Sequence, residues 1–168
     1  MLQHVVLMNV VVPALIILLR GRLPQIARPA WPAATITQLV LLWGWHAPPV
    51  LDLAMQHWPI MVMMHASLVV AAAWFWWSIL AITGAACWRA MLALLITAKL
   101  FCLLGALLVF APRLLFAMPG QGAYLAMSQA DQQLAGLIML TACPLTYVAA
   151  GIAISAHWFL GMERQAHD

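Results

Sequence analysis

The chain has 168 residues, 67% of them hydrophobic, with 7 Lys+Arg against 4 Asp+Glu and a net charge of +3. A soluble domain carries a surface that is roughly 25–35% charged, so an overall charged content of 7% excludes a water-soluble globule. Six Arg and one Lys scattered through apolar runs form no basic stripe, which excludes a nucleic-acid binder.

What remains is an all-α integral membrane protein, a single domain over residues 1–168. A transmembrane helix needs about 20 mostly apolar residues. The charge-poor stretches predict five spans, at 2–20, 32–51, 59–82, 89–112 and 131–160. The first ends at Arg20 and shows no basic leader or small-residue cleavage site, so it reads as a retained helix rather than a signal peptide. Turn chemistry follows it at Gly21-Arg22-Leu23-Pro24. The second runs toward Pro48-Pro49, and the third opens on Pro59, where a proline costs a helix nothing. The fourth is broken only by Lys99. The fifth follows Pro119-Gly120-Gln121-Gly122 and is long enough to kink at Pro144. The apolar runs are continuous rather than alternating, which argues against a β-barrel.

Cationic loops set orientation through the positive-inside rule. Arg20, Arg22 and Arg28 share the first loop, Arg89 lies in the third, and Arg164 is in the C-terminal tail; only Arg113 falls on the other side. Five helices then place the N-terminus, the 52–58 loop and the 113–130 loop outside and the C-terminus in the cytoplasm. Most of the nine Trp are read as interfacial belts.

Polar side chains inside a membrane are costly, so their positions are informative. His4, His46, His65 and Asp131 come from four different spans, and at 1.5 Å rise per residue all fall within ~10 Å of the outer face. Met8 follows His4 by four residues and Met61 precedes His65 by four, so each pair shares a helix face. Imidazole and thioether together suit copper, Cu(I) in particular; three His with a carboxylate also suit zinc. The expectation is a metal site near the outer face, with His4, His46 and His65 as ligands, Asp131 as ligand or orienting partner, and Met8 and Met61 as auxiliary thioethers. Each residue also has a plainer reading. The histidines serve equally as hydrogen-bonded bundle residues, the methionines as core filler. Ser128-Gln129-Ala130-Asp131 fits a helix-capping pattern. His57 reads as a loop residue. Lys99, near the midplane with no acid at its depth, has no assigned role. Cys87, Cys102 and Cys143 form no C-x-x-C pair and are odd in number, so neither a disulfide nor a thiolate cluster is expected. No P-loop, dinucleotide fingerprint or nucleophile elbow occurs, and the chain reads as a non-enzyme.

The same residues carry a family resemblance. Met1-Leu2-Gln3-His4-Val5-Val6-Leu7-Met8, Leu42-Trp43-Gly44-Trp45-His46-Ala47-Pro48, His65 with Phe75-Trp76-Trp77-Ser78-Ile79-Leu80, and Asp131-Gln132-Gln133-Leu134-Ala135-Gly136-Leu137-Ile138-Met139 follow, in order, the motifs of the CtaG-type cytochrome c oxidase assembly factors. The chain resembles a short, N-terminally reduced member. Typical members carry further N-terminal spans, Asn9 and a single Pro13 stand where they often have Pro-Pro, and Leu140 stands in place of a Trp. The resemblance implies a multi-pass protein of the bacterial inner membrane that helps mature a haem–copper oxidase by handling its copper. His4, His46, His65 and Asp131 are the positions that carry over. The implied partners are oxidase subunits, a copper chaperone and the lipid bilayer. The competing readings are a haem-binding electron-transfer bundle, a structural accessory subunit of a respiratory complex, and a small transporter or proton pathway through Lys99 and Asp131.

Overall fold

The computed structural model describes residues 2–23, 30–112, 115 and 128–167. They form helices joined by turns. The N-terminal helix starts as α1 (Leu2–Val6), passes through a π-helical turn (Leu7–Val11) and continues as α2 (Val12–Leu19). Then come α3 (Trp31–Trp45), α4 (Pro48–Gln56), α5 (Trp58–Leu80), α6 (Cys87–Phe110) and α7 (Gln129–His167). Prolines sit in the first turn of α3, α4 and α5, where the missing N–H would have had no intrahelical partner.

Among the described residues, three helices are long and apolar enough to cross a membrane: α5, α6 with its preceding turn, and α7. The N-terminal helix is apolar but shorter, over Gln3–Leu19. The span expected over 32–51 is corrected. It stops at Trp45, and a separate helix begins at Pro48. The cause is local: Ala47, preceding a proline, is driven out of the helical region to φ −62°, ψ 129°. The expected 52–58 loop is therefore mostly helix, since α4 runs to Gln56. Conversely, α7 continues through Pro144. At 39 residues it is about 58 Å long, well beyond a ~30 Å hydrocarbon core. Pro24, Arg28, Arg113 and the turn at 119–122 lie outside the described residues.

Packing explains the motifs. α6 and α7 form the most extensive helix pair, and α5 collects α2, α3 and α4 around it. The α6–α7 crossing is closest at two glycines. A Cβ on Gly136 would stand 2.8 Å from the Gly105 carbonyl oxygen, and one on Gly105 would stand 3.0 Å from the Gly136 carbonyl oxygen. Small residues at a crossing let backbones approach where lipid supplies no hydrophobic drive. At the head of α7, Ser128 and Asp131 form a reciprocal cap. The Ser128 amide and hydroxyl donate to Asp131 Oδ2 at 2.9 and 2.8 Å, and the Asp131 amide donates to Ser128 Oγ at 3.1 Å. Gln132, 1% exposed, donates from Nε2 to the Leu108 carbonyl at 3.2 Å and accepts from the Leu115 amide at 2.8 Å. It thereby satisfies a carbonyl in the last turn of α6, which has no intrahelical donor.

The core is aromatic at its centre. The Tyr147 ring stacks on Trp76 at 5.4 Å, 8° from parallel, and meets Phe75 and Phe101 edge-on. Its hydroxyl accepts from Gln38 Nε2 at 2.9 Å. Trp76, expected among the interfacial tryptophans, is fully buried, whereas Trp58 and Trp88 are exposed. At the opposite end from Trp58, Arg20 donates to the Leu80 carbonyl at 2.9 Å, a cation on the C-terminus of α5. The outer surface is apolar: Leu18, Val40, Val70, Phe110, Leu145 and Ile152 are all exposed. So large an exposed apolar surface is a membrane surface or an interface.

Candidate metal centre

His4 sits in α1, His46 caps the C-terminus of α3, and His65 lies two turns into α5. The fold brings the three together. The His4 ring centroid is 5.3 Å from that of His46 and 6.1 Å from that of His65, with both pairs edge-on. His4 is the middle member.

Two of the rings are oriented by the backbone. His46 Nδ1 lies 2.7 Å from the Leu42 carbonyl oxygen, and His65 Nδ1 lies 2.8 Å from that of Met61. A carbonyl only accepts, so each Nδ1 must carry the proton. In a neutral ring Nε2 then keeps its lone pair. An imidazole whose N–H is spent on a backbone carbonyl is the usual form of a metal-binding histidine. Among the described residues, the buried His46 Nε2 has no hydrogen-bond partner, and neither ring nitrogen of His4 has one. His4 and His46 are 4% and 5% exposed. Buried polar atoms are nearly always paired, so such orphans call for an explanation.

As placed, the rings do not enclose an ion. Among the described residues, no group of three or more His, Cys, Asp or Glu side chains is positioned to hold a metal. The donor chemistry fits a soft or borderline cation. His4 differs from the other two rings in that, among the described residues, no hydrogen bond fixes either of its nitrogens. Pockets flank the cluster on two sides. One, of 440 Å³, is lined by Met61, His65, Gln3, Leu7 and Trp58. The other, of 650 Å³, is lined by His46, Trp43, Pro48, Leu104 and Leu107.

The remaining expected site residues stand differently. Asp131 is exposed, and its hydrogen bonds go to Ser128, not to the histidines. Met61 is half-buried and lends its carbonyl to His65. Met8 is buried, and its carbonyl accepts from Trp76 Nε1 at 3.1 Å. That bond follows from the local sequence. In the π-helical turn the Val12 amide donates to the Leu7 carbonyl, five residues back. The next donor in that pattern is Pro13, which has no N–H. The Met8 carbonyl is thereby freed for Trp76, which ties the N-terminal helix to α5 and sets the height of His4. π-Turns of this kind concentrate at functional sites.

Sequence reasoning overlooked Asn9 as part of this support. Buried in the π-helical turn, it donates from Nδ2 to the Val5 carbonyl at 2.9 Å and to Cys143 Sγ at 3.5 Å. A lone Asn in an apolar span was the available signal. Trp45, quoted above only within a motif, has a specific role here: its Nε1 donates to Ser67 Oγ at 3.0 Å, holding α3 to α5 beside His46 and His65. The three cysteines are free.

No curated protein and no solved structure matches the chain. A family model does, the cytochrome c oxidase caa3 assembly factor (Caa3_CtaG), over residues 18–160. The matched region includes His46, Met61, His65 and Asp131 and leaves His4 and Met8 before its start. With most of its length so matched, the chain belongs to the cytochrome c oxidase caa3 assembly factor family.

Proposed function

We propose that the chain carries a copper ion as cargo, between His4, His46 and His65, and yields it to a haem–copper oxidase during assembly. Membership of an oxidase assembly family supports the oxidase as recipient. The observation that supports the metal is His4, buried with both ring nitrogens unpartnered between two histidines whose Nδ1 protons are already committed. Each ring offers one lone pair, and three neutral imidazoles with a nearby thioether suit Cu(I). His46 and His65 are the fixed ligands. His4 turns to close on the ion and turns away to release it. Met61, beside His65 in the 440 Å³ pocket, is the auxiliary thioether on the entry side, and Met8 acts through its backbone. Asp131 acts through the helix it caps. The chain is a carrier, not an enzyme, and takes its copper from a chaperone.

In this reading the protein is a multi-pass component of the bacterial inner membrane. Five segments cross it: the N-terminal helix, α3, α5, α6 and α7. α4 lies along the outer interface with Leu51 and Ala54 turned inward. The N-terminus faces outward and the arginine-bearing ends face the cytoplasm, so copper enters from outside.

The test is metal analysis of the purified, copper-loaded protein. Near-stoichiometric copper should fall at least tenfold in His46→Ala and in His65→Ala. Unchanged copper in both variants overturns the ligand assignment. A sharp visible band in a reduced-minus-oxidised spectrum favours haem in its place.

A further inference from the structure

Lys99 lies in the middle of α6 (Cys87–Phe110). By helical rise it is about 18 Å from the first residue of that helix and about 16 Å from the last. The stem of a lysine carries its ammonium to a nearby interface from a helix end, but not from mid-helix. The side chain is exposed, on the outside of the bundle, with no hydrogen bond or ion pair among the described residues. Leu92, Leu95, Ile96, Leu103 and Leu107 are exposed with it. Their spacing of three and four residues makes one continuous helix face. The opposite face of α6 is already used, at Gly105, against α7. An otherwise apolar stripe therefore presents a single cation at mid-depth, where an unpaired charge is costly.

We propose that this face of α6 docks a membrane-spanning helix of a different polypeptide, one that presents a carboxylate at mid-depth to Lys99. Charge complementarity selects the occupant, because two opposite charges attract far more strongly in a low-dielectric interior than in water. A second copy of this chain does not meet the requirement. Its acids are Asp52, Asp131, Glu163 and Asp168. Asp131 is the third residue of α7, Glu163 lies in the last turns of that helix, and Asp52 is in the short α4; none of these three is at the middle of a long apolar helix, and Asp168 lies outside the described residues. Pairing by Lys99 gives α6 a specific partner and a fixed depth relative to it. The inference rests on α6 crossing the membrane and is independent of the metal.

The experiment places a photo-reactive amino acid at Leu95 or Leu103 in the full chain, in native membranes that assemble the oxidase. The crosslinked peptide is then sequenced. The expected product is a single heteromer whose linked peptide is an apolar span containing Asp or Glu. Lys99→Met should reduce its yield at least tenfold and Lys99→Arg should preserve it. Lys99→Glu should be rescued by exchanging the partner's acid for Lys. Adducts to lipid alone, adducts to a second copy of the chain, or a yield unchanged by Lys99→Met overturn the proposal. Thiol-labelling of cysteines introduced at the two ends of α6 reports separately whether the helix spans. A non-spanning α6 removes the membrane reading and this proposal together, whereas a spanning α6 without the heteromer removes the proposal alone.

Discussion

Two regions hold polar side chains, and they treat them in opposite ways. At the α6–α7 junction each of the named groups is answered. Gln132 uses both ends of its amide, Asp131 and Ser128 cap one another, and two glycines let the backbones meet. At the histidine cluster three buried ring nitrogens have no partner among the described residues. A satisfied network rigidifies a fold, while an unsatisfied one is a standing cost that folding alone does not justify. The junction is therefore architecture, and in the proposed reading the open nitrogens of the cluster are kept for a metal. The difference also divides the Asp131–Met139 segment from His46 and His65, although all of them lie within the family match.

The comparison predicts that the junction breaks on small changes. Gly136→Val should have the largest effect. Its Cβ would stand 2.8 Å from a backbone oxygen of α6, which has no freedom to move aside as a flexible side chain would. Overpacking costs about 1–3 kcal/mol or more, and here it separates the longest helix pair. Denaturant titration of the purified protein should show a lowered midpoint or no folded fraction. Gln132→Met comes next. It keeps the volume but orphans the Leu108 carbonyl and the Leu115 amide, at about 1–3 kcal/mol for each group left buried. Ser128→Ala should cost less, about 1 kcal/mol, as the loss of one N-cap. Asp131→Ala should lower the midpoint through the same cap and leave copper stoichiometry unchanged. A loss of copper greater than the loss of folded protein would restore Asp131 to the site.

The sequence carried some of this clearly. Ser128-Gln129-Ala130-Asp131 is local chemistry, and the cap it implies is present. Proximity was partly legible: length and rise set His4, His46, His65 and Asp131 at one level, and the fold brings the His4 ring to 5.3 Å from that of His46 and 6.1 Å from that of His65. Rotation itself was not legible. When nearly every position is apolar, hydrophobic periodicity does not say which face turns inward, so contact between the rings had to come from the fold. Gln132 was hidden for a related reason, because its partners lie in another helix end and a turn. The break at Ala47 was written in Pro48-Pro49, but composition alone carried the second span past it.

The smallest expected change in stability belongs to His4, and it tests the comparison most sharply. His4→Leu removes two buried nitrogens that bond to nothing among the described residues and fills the site with a side chain of similar size. Deleting an unsatisfied group in this way is nearly neutral or stabilising. The unfolding midpoint should hold or rise, while copper in the loaded protein should fall at least tenfold. Gln132→Met should do the reverse, lowering the midpoint and leaving copper per folded molecule intact. If His4→Leu destabilised the protein as Gln132→Met does, the His4 ring would be a structural element of the bundle. The contrast between a region built for stability and one that sacrifices it would then be lost. If instead the two variants separate, one losing metal without stability and the other stability without metal, the unpaired nitrogens are explained by the ion they hold.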